Sequence, residues 1–233
     1  MDVEIELMGL AARGSVESYV GDFSNLIEVE ALAAAVTEKH DRLDVLINNA
    51  GVFKTSEPIT VDGFDVRFVV NTIAPYLLTR KLLPLLGSSG RVVNLSSAAQ
   101  ASVNLDALTG KGRLSDDMAA YAQSKLAITM WSRTMAAELK ENGPVIIAVN
   151  PGSLLASKMV KEGFGVAGND LKIGADILCR AALDDEFASA SGQYFDNDAR
   201  GFNSPHTDAL DTQKCTEVVR AIESVLDGIK DEK

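Results

Sequence analysis

Two residues with acid–base side chains, Tyr121 and Lys125, stand four positions apart in this sequence. The surrounding residues 115–139 have the pattern of one long helix with Ser115 as its predicted N-cap, so the phenol and the ammonium share one helix face. A positive charge beside a phenol favours the phenolate and lowers its pKa, which makes proton transfer easier near neutral pH. The spacing indicates an acid–base residue at Tyr121, although it also occurs by chance on many helices.

Polar or small residues follow three predicted strands at the points where the strands end. The strand within residues 44–51 runs into Asn48-Asn-Ala-Gly51, the strand at 91–97 ends on two serines, and residues 145–150 lead into Pro151-Gly152. Parallel α/β sheets build their ligand crevice at the carboxyl ends of their strands. We therefore expect these residues to meet at one edge of a sheet.

Strands and helices alternate along the whole chain, which predicts an α/β fold with a doubly wound parallel sheet. A helix interrupted by proline contains Asn71, and Pro75, four residues on, has no N–H to donate to the Asn71 carbonyl. The freed carbonyl could hold a water. This helix covers residues 61–86. The other predicted elements are a helix remnant in residues 1–15, strands at 16–20 and 192–195, and helices at 26–39 (capped by Ser24 or Asn25), 170–183 and 211–229.

Composition excludes several classes of protein. The chain has 233 residues, 46% of them hydrophobic, which suits one domain spanning residues 1–233. A net charge of -11 argues against nucleic acid or an anionic membrane as the main partner. No long apolar run predicts a membrane span, and the acidic N-terminus is unlike a signal peptide. Cys179 and Cys215 lack metal-ligand spacing, so we expect no metal site and a reducing, cytoplasmic location.

Five motifs occur in an order that resembles the short-chain dehydrogenase/reductase family. They are Asn48-Asn-Ala-Gly51, the Asn71 helix, Val92-Val-Asn-Leu-Ser-Ser97, Tyr121-x-x-x-Lys125 and Asn150-Pro-Gly152. The resemblance covers about residues 16–196. The sequence around Tyr121 and its spacing from Ser97 are similar to the retinol-dehydrogenase-like branch. It implies a Rossmann-like fold and a hydride transfer between NAD or NADP and a small carbonyl or alcohol substrate.

The resemblance also implies roles for individual residues. Tyr121 would be the general acid/base, Ser97 would hydrogen-bond the same substrate oxygen, and Lys125 would lower the Tyr121 pKa and bind the nicotinamide ribose. Asn71 would connect Lys125 to solvent through a water. A homodimer through the helices of Asn71 and Tyr121 is a further expectation. The residues implied to bind the cofactor are Asp22, Asn49, Ala50, Gly51, Tyr121, Lys125, Pro151, Gly152, Ser153 and Leu154.

One part of the family pattern is absent from this sequence. The glycine-rich turn that presents N–H groups to the pyrophosphate should precede the strand at 16–20, and no such turn stands there. We therefore expect an N-terminally incomplete fold that lacks the first strand–helix–strand unit. Two functions stay open: an oxidoreductase, or a truncated and catalytically inactive homologue that acts as a binding partner or exists only as a fragment.

Overall fold

The computed structural model describes residues 7–9 and 14–231. Within that part of the chain, five strands form one sheet in the order β1-β2-β3-β4-β5. The first four strands are parallel, and β5 is antiparallel to β4. The strands are β1 (Val45–Asn48), β2 (Arg91–Leu95), β3 (Val145–Asn150), β4 (Tyr194–Asp196) and β5 (Gly201–Asn203).

Helices cover both faces of the sheet, which confirms the predicted doubly wound α/β fold. Val92 and Ile146 face a core shared with the helices Leu26–Lys39, Ala74–Leu86, Asp117–Leu139 and Thr212–Asp231, whereas Val93 and Ile147 face the helix Leu171–Leu183. Successive strand residues point to opposite faces, so each strand contributes to both layers. The helices are α1 (Leu26–Lys39), α2 (Val66–Phe68), α3 (Ala74–Leu86), α4 (Leu105–Leu108), α5 (Asp117–Leu139), α6 (Lys158–Phe164), α7 (Leu171–Leu183) and α8 (Thr212–Asp231).

Helix α5 lies in the centre of the fold and carries the predicted acid–base pair. Its N-cap is Asp116 rather than the predicted Ser115, because the Asp116 carboxylate accepts the Ala119 N–H at 2.6 Å. Met130 and Trp131 on α5 are buried in the core that α8 completes. The face of α5 around these two residues is therefore covered within the same chain.

No helix in the described residues is long and apolar enough to span a membrane.

The interruption predicted at Pro75 takes the form of a π-helical turn. Residues Val69–Ile73 join α2 to α3 in one continuous helical run, and Ala74 N–H donates to the Val69 carbonyl. Pro75 stands in the first turn of α3, where its missing N–H is tolerated. Single π turns often occur at functional sites, and this one contains Asn71.

The structure differs from the predictions in the N-terminal part of the chain. Residues 16–20 form no strand, and Val20 is 99% exposed. Of the helix predicted in residues 1–15, residues 7–9 are helical and the others lie mostly outside the described residues. In the described part of the chain β1 is the outermost strand of the sheet, and Ile47 on it is 40% exposed.

A pair of buried amides joins the sheet to two helices. Asn48 on β1 donates to Asn94 on β2 at 2.7 Å, and both side chains are less than 8% exposed. Asn48 also donates to Thr79 of α3 at 3.0 Å, and Asn94 donates to Ser132 of α5 at 2.8 Å. Because a buried amide without partners is costly, this network fixes where both helices sit on the sheet.

A buried ion pair holds the start of the Asn71 helical run against α5. Arg67 is 1% exposed and binds both carboxylate oxygens of Asp65, at 2.8 and 2.7 Å. It also donates to Asp117 in the first turn of α5. Removing one partner of such a pair leaves the other charge buried without compensation.

We predict that Arg67→Met lowers the free energy of unfolding by about 3 kcal/mol or more, because Asp65 then stays buried and unpaired. Arg80→Met is the matched control, since its pair with Glu223 is 50% and 44% exposed. We expect the control to change stability by less than about 1 kcal/mol. Urea denaturation of the three proteins measures both values, and equal losses in the two variants would contradict the prediction.

Candidate functional site

The carboxyl ends of β1 and β2 bring Gly51, Asn71 and Lys125 together. A Cβ atom placed on Gly51 would lie 3.4 Å from the Asn71 amide oxygen and 3.6 Å from Lys125 Nζ. Gly51 thus leaves room for about one methyl-sized group beside the lysine ammonium. The methyl group of Met159 on α6 borders the same space at 3.7 Å.

The side-chain amide of Asn71 makes hydrogen bonds through both its oxygen and its nitrogen. Its amide oxygen accepts the Val52 N–H at 2.8 Å, and its amide nitrogen donates to the Val52 carbonyl at 2.9 Å. The same nitrogen donates to the Ser124 hydroxyl, which in turn donates to the Tyr121 carbonyl at 2.7 Å. Asn71 therefore fixes the segment after β1 relative to the acid–base helix.

Lys125 is 4% exposed, and its ammonium donates to the Leu95 carbonyl at 2.7 Å. Burial lowers the pKa of Lys125 to about 8, because the charged form loses its hydration. The ammonium lies 5.7 Å from the centroid of the Tyr121 ring. Tyrosine and lysine are thus neighbours, as their spacing on the helix predicts.

The pKa of Tyr121 is raised, contrary to the expectation from the sequence. Burial raises it, and the hydrogen bond with Ser97 lowers it only in part. The bond of the Lys125 ammonium to Leu95 explains the difference, because the charge points to a main-chain carbonyl rather than to the phenol oxygen.

The two serines after β2 have different surroundings. Ser96 is 3% exposed and binds the Lys125 carbonyl at 3.0 Å and the Thr129 hydroxyl at 2.7 Å, so it ties β2 to α5. Ser97 is the serine that bonds with Tyr121. The structure therefore brings Ser97, Tyr121, Lys125 and Asn71 into one cluster.

A pocket of about 110 Å³ lies at the end of β1, and its lining residues do not include the four residues of this cluster. Asn49 and Ala50 line it, together with Phe23 at the start of α1. Asp22 lies next to Phe23, and its carboxylate accepts hydrogen bonds from the N–H and hydroxyl of Ser24. The structure thus places Asn49 and Ala50 on this pocket, and Asp22 adjoins it only through its neighbour Phe23.

The loop after β3 is fixed from the turn between β4 and β5. Asp198 accepts the Ser153 N–H at 2.9 Å and binds the Ser153 hydroxyl at 2.5 Å, while Asn197 donates to the Pro151 carbonyl at 2.9 Å. The Ser153 hydroxyl is thus engaged by protein. Gly152 has φ of 120°, which favours glycine, and Leu154 is 45% exposed.

Sequence reasoning missed the aromatic side of the site. The ring of Phe53 lies 5.3 Å from that of Tyr121 and stacks on Phe164 of α6 at 5.3 Å. Gly163 makes the close approach possible, because a Cβ there would lie 2.6 Å from the Phe53 ring. The apolar pair Val52-Phe53 directly after Gly51 was the available signal for Phe53.

Comparison with known proteins shows which family the chain belongs to. The family profile described as short chain dehydrogenase matches residues 5–165. Human retinol dehydrogenase 13 is 33% identical over 193 residues, which cover 75% of this chain and 58% of that protein. Bovine retinol dehydrogenase 12 is 34% identical over 197 residues, which cover 79% of this chain and 62% of that protein. The chain thus spans about three fifths of the length of these relatives.

Solved structures share the fold. A crystal structure of a protein from Mycobacterium paratuberculosis superimposes with a TM-score of 0.75 at 25% identity, covering 94% of this chain and 79% of that one. NADPH-bound carbonyl reductase from chicken fatty liver gives a TM-score of 0.61 at 24% identity, covering 84% and 81%. The chain resembles the retinol-dehydrogenase-like branch, and it belongs to the short-chain dehydrogenase family.

Proposed function

We propose that this protein is a nicotinamide-dependent oxidoreductase that interconverts a small alcohol and its carbonyl compound, with NAD or NADP as the cofactor. The observation that carries the proposal is the cluster of Asn71, Ser97, Tyr121 and Lys125 at the carboxyl ends of β1 and β2. The nicotinamide ring supplies or accepts the hydride when it is bound.

The residues of the cluster divide the proton chemistry among them. Tyr121 holds the proton that passes to or from the substrate oxygen, and Ser97 hydrogen-bonds that oxygen and the phenol. Lys125 places a cation near the phenol, and this charge favours the phenolate once the ammonium turns from the Leu95 carbonyl. Asn71 keeps the Val52 segment and α5 in register around them.

The residues around the cluster suit a dinucleotide on this side. Gly51 lies beside Lys125 Nζ, which is the charged donor that the hydroxyl groups of a ribose would meet on this side. Asn49 and Ala50 line the pocket at the end of β1, with Asp22 beside it, and Pro151 to Leu154 form the opposite loop. Relatives with the same fold include the carbonyl reductase solved with NADPH.

The aromatic side of the cluster favours an apolar substrate body. Phe164 is 45% exposed and presents ring surface, and it stacks on Phe53, which is 5% exposed and lies against Tyr121. An apolar chain or ring would remove this surface from water while its oxygen meets Tyr121 and Ser97. This preference agrees with the retinol dehydrogenases among the relatives.

A catalytically inactive chain is the alternative function, and the closed state of the site favours it. Lys125 is almost fully buried, and Met159 borders the space beside Gly51. A cytoplasmic location and a homodimer stay predictions. A dimer through α5 would need a surface other than the one that α8 covers.

We predict that Tyr121→Phe lowers turnover about 100-fold or more, because the proton donor is lost, while cofactor affinity changes little. Turnover is measured with a panel of apolar aldehydes and ketones and either NADH or NADPH, and affinity is measured by calorimetry. Tyr76→Phe, a buried tyrosine bonded to Glu223 on α8, is the matched control. Unchanged turnover in Tyr121→Phe would contradict the role of Tyr121. A folded wild-type chain that binds neither cofactor would support the inactive alternative.

Burial of Lys125 also predicts a pH-dependent stability. Its pKa is about 8 in the folded chain against 10.5 for an exposed lysine, so unfolding takes up a proton between these values. Stability from this group therefore rises with pH in that window, by up to about 3 kcal/mol relative to Lys125→Met. Urea denaturation at both ends of the window tests this. Lys158→Met, whose side chain is 86% exposed, should show no such difference from wild type.

A further inference from the structure

The main-chain carbonyl of Ser97 accepts two hydrogen bonds from side chains outside the reactive cluster. The Tyr194 hydroxyl donates to it at 3.0 Å, and Gln100 Nε2 donates to it at 3.0 Å. Tyr194 is 4% exposed and lies on β4, two strands away from β2 in the sheet. The bond therefore crosses the end of β3 and links the far part of the sheet to Ser97.

Gln100 is itself held in place by the C-terminal part of the chain. Its amide oxygen accepts the His206 N–H at 3.0 Å, which fixes the direction of the amide group. The nitrogen then faces Ser97, with a longer contact to the Ser96 hydroxyl at 3.4 Å. Two distant segments thus converge on one peptide group.

The position of Ser97 explains why such bonds matter. Ser96 is paired with β3 through its N–H, which donates to the Val149 carbonyl at 2.8 Å, and Ser97 follows as the chain leaves the sheet. The Ser97 hydroxyl accepts the Ala99 N–H at 3.1 Å, and it lies near enough to Tyr121 to lower the pKa of the phenol. Fixing the carbonyl fixes the peptide plane, and so limits the directions available to the hydroxyl.

We propose that Tyr194 and Gln100 are positioning residues that direct the Ser97 hydroxyl toward Tyr121. The proposal rests on the function proposed above, in which Ser97 and Tyr121 act on the substrate oxygen. Loss of either donor lets the Ser97 peptide rotate, and the hydrogen bond between Ser97 and Tyr121 weakens.

A double-mutant cycle tests the proposal by kinetics. We expect Tyr194→Phe to lower kcat roughly five-fold with little change in KM, a loss typical of one uncharged hydrogen bond. In a Ser97→Ala background the same substitution should have no further effect, because the group that it positions is gone. Tyr76→Phe removes a buried tyrosine hydroxyl elsewhere and should leave kcat unchanged in both backgrounds. Equal losses with and without Ser97 would overturn the proposal.

A spectroscopic readout separates this proposal from the proposed function, because it needs neither cofactor nor turnover. In protein labelled with carbon-13 tyrosine, the Cζ resonance of Tyr121 reports the hydrogen bond of its phenol and is assigned by its loss in Tyr121→Phe. Tyr194→Phe should move this resonance toward its position in Ser97→Ala, and Tyr76→Phe should not. An unmoved resonance overturns the proposal even if the enzyme is active, and a shift supports it even if no turnover is found.

Gln100→Met supplies a second arm in case Tyr194→Phe does not fold. It removes the other donor to the Ser97 carbonyl while the Tyr194 hydroxyl remains in the chain. We expect the same direction of change in kcat and in the Tyr121 resonance, and the same loss of effect in the Ser97→Ala background. A full effect of Gln100→Met in that background would count against the proposal.

Discussion

The geometry of the site depends on the buried hydrogen bond between Asn48 and Asn94. Each amide also donates a hydrogen bond to a helix, Asn48 to Thr79 and Asn94 to Ser132. Asn71 and Lys125 lie about two turns before these hydroxyl residues in their helical runs. Because an unpaired amide in this core would cost more than a small shift gains, the two helices cannot slide on the sheet independently. The polar cluster inherits its spacing from this constraint.

Burial of that cluster shifts the pKa values of its two titratable members in opposite directions. It raises the pKa of Tyr121 and lowers the pKa of Lys125, so it disfavours the charged form of both. A phenolate and an ammonium stabilise each other only when they approach, and here the ammonium bonds to a main-chain carbonyl. The proposed acid–base role therefore requires the lysine side chain to turn away from the Leu95 carbonyl.

Local patterns predicted much of this fold, and long-range contacts account for what they missed. Residues Val145–Asn150 and the helix at Leu26–Lys39 were predicted correctly because an apolar run and an asparagine cap mark them clearly. The strand predicted at 16–20 was wrong, because apolar β-branched residues need a partner strand as well as propensity. The cluster itself followed from family motifs. The bond from Tyr194 to Ser97 joins residues 97 positions apart, and no local pattern carries such information.

The contact between Lys125 and the Leu95 carbonyl has a consequence for ligand recognition. An ammonium in water must shed its hydration before it can grip a sugar hydroxyl, and that step usually weakens binding. In this chain the ammonium already loses its water on folding, so in the proposed function it would only exchange the Leu95 carbonyl for a sugar hydroxyl as its acceptor. The cost appears as reduced stability of the empty protein instead of reduced affinity. A buried ammonium of this kind would favour ligand affinity at the expense of the stability of the folded chain.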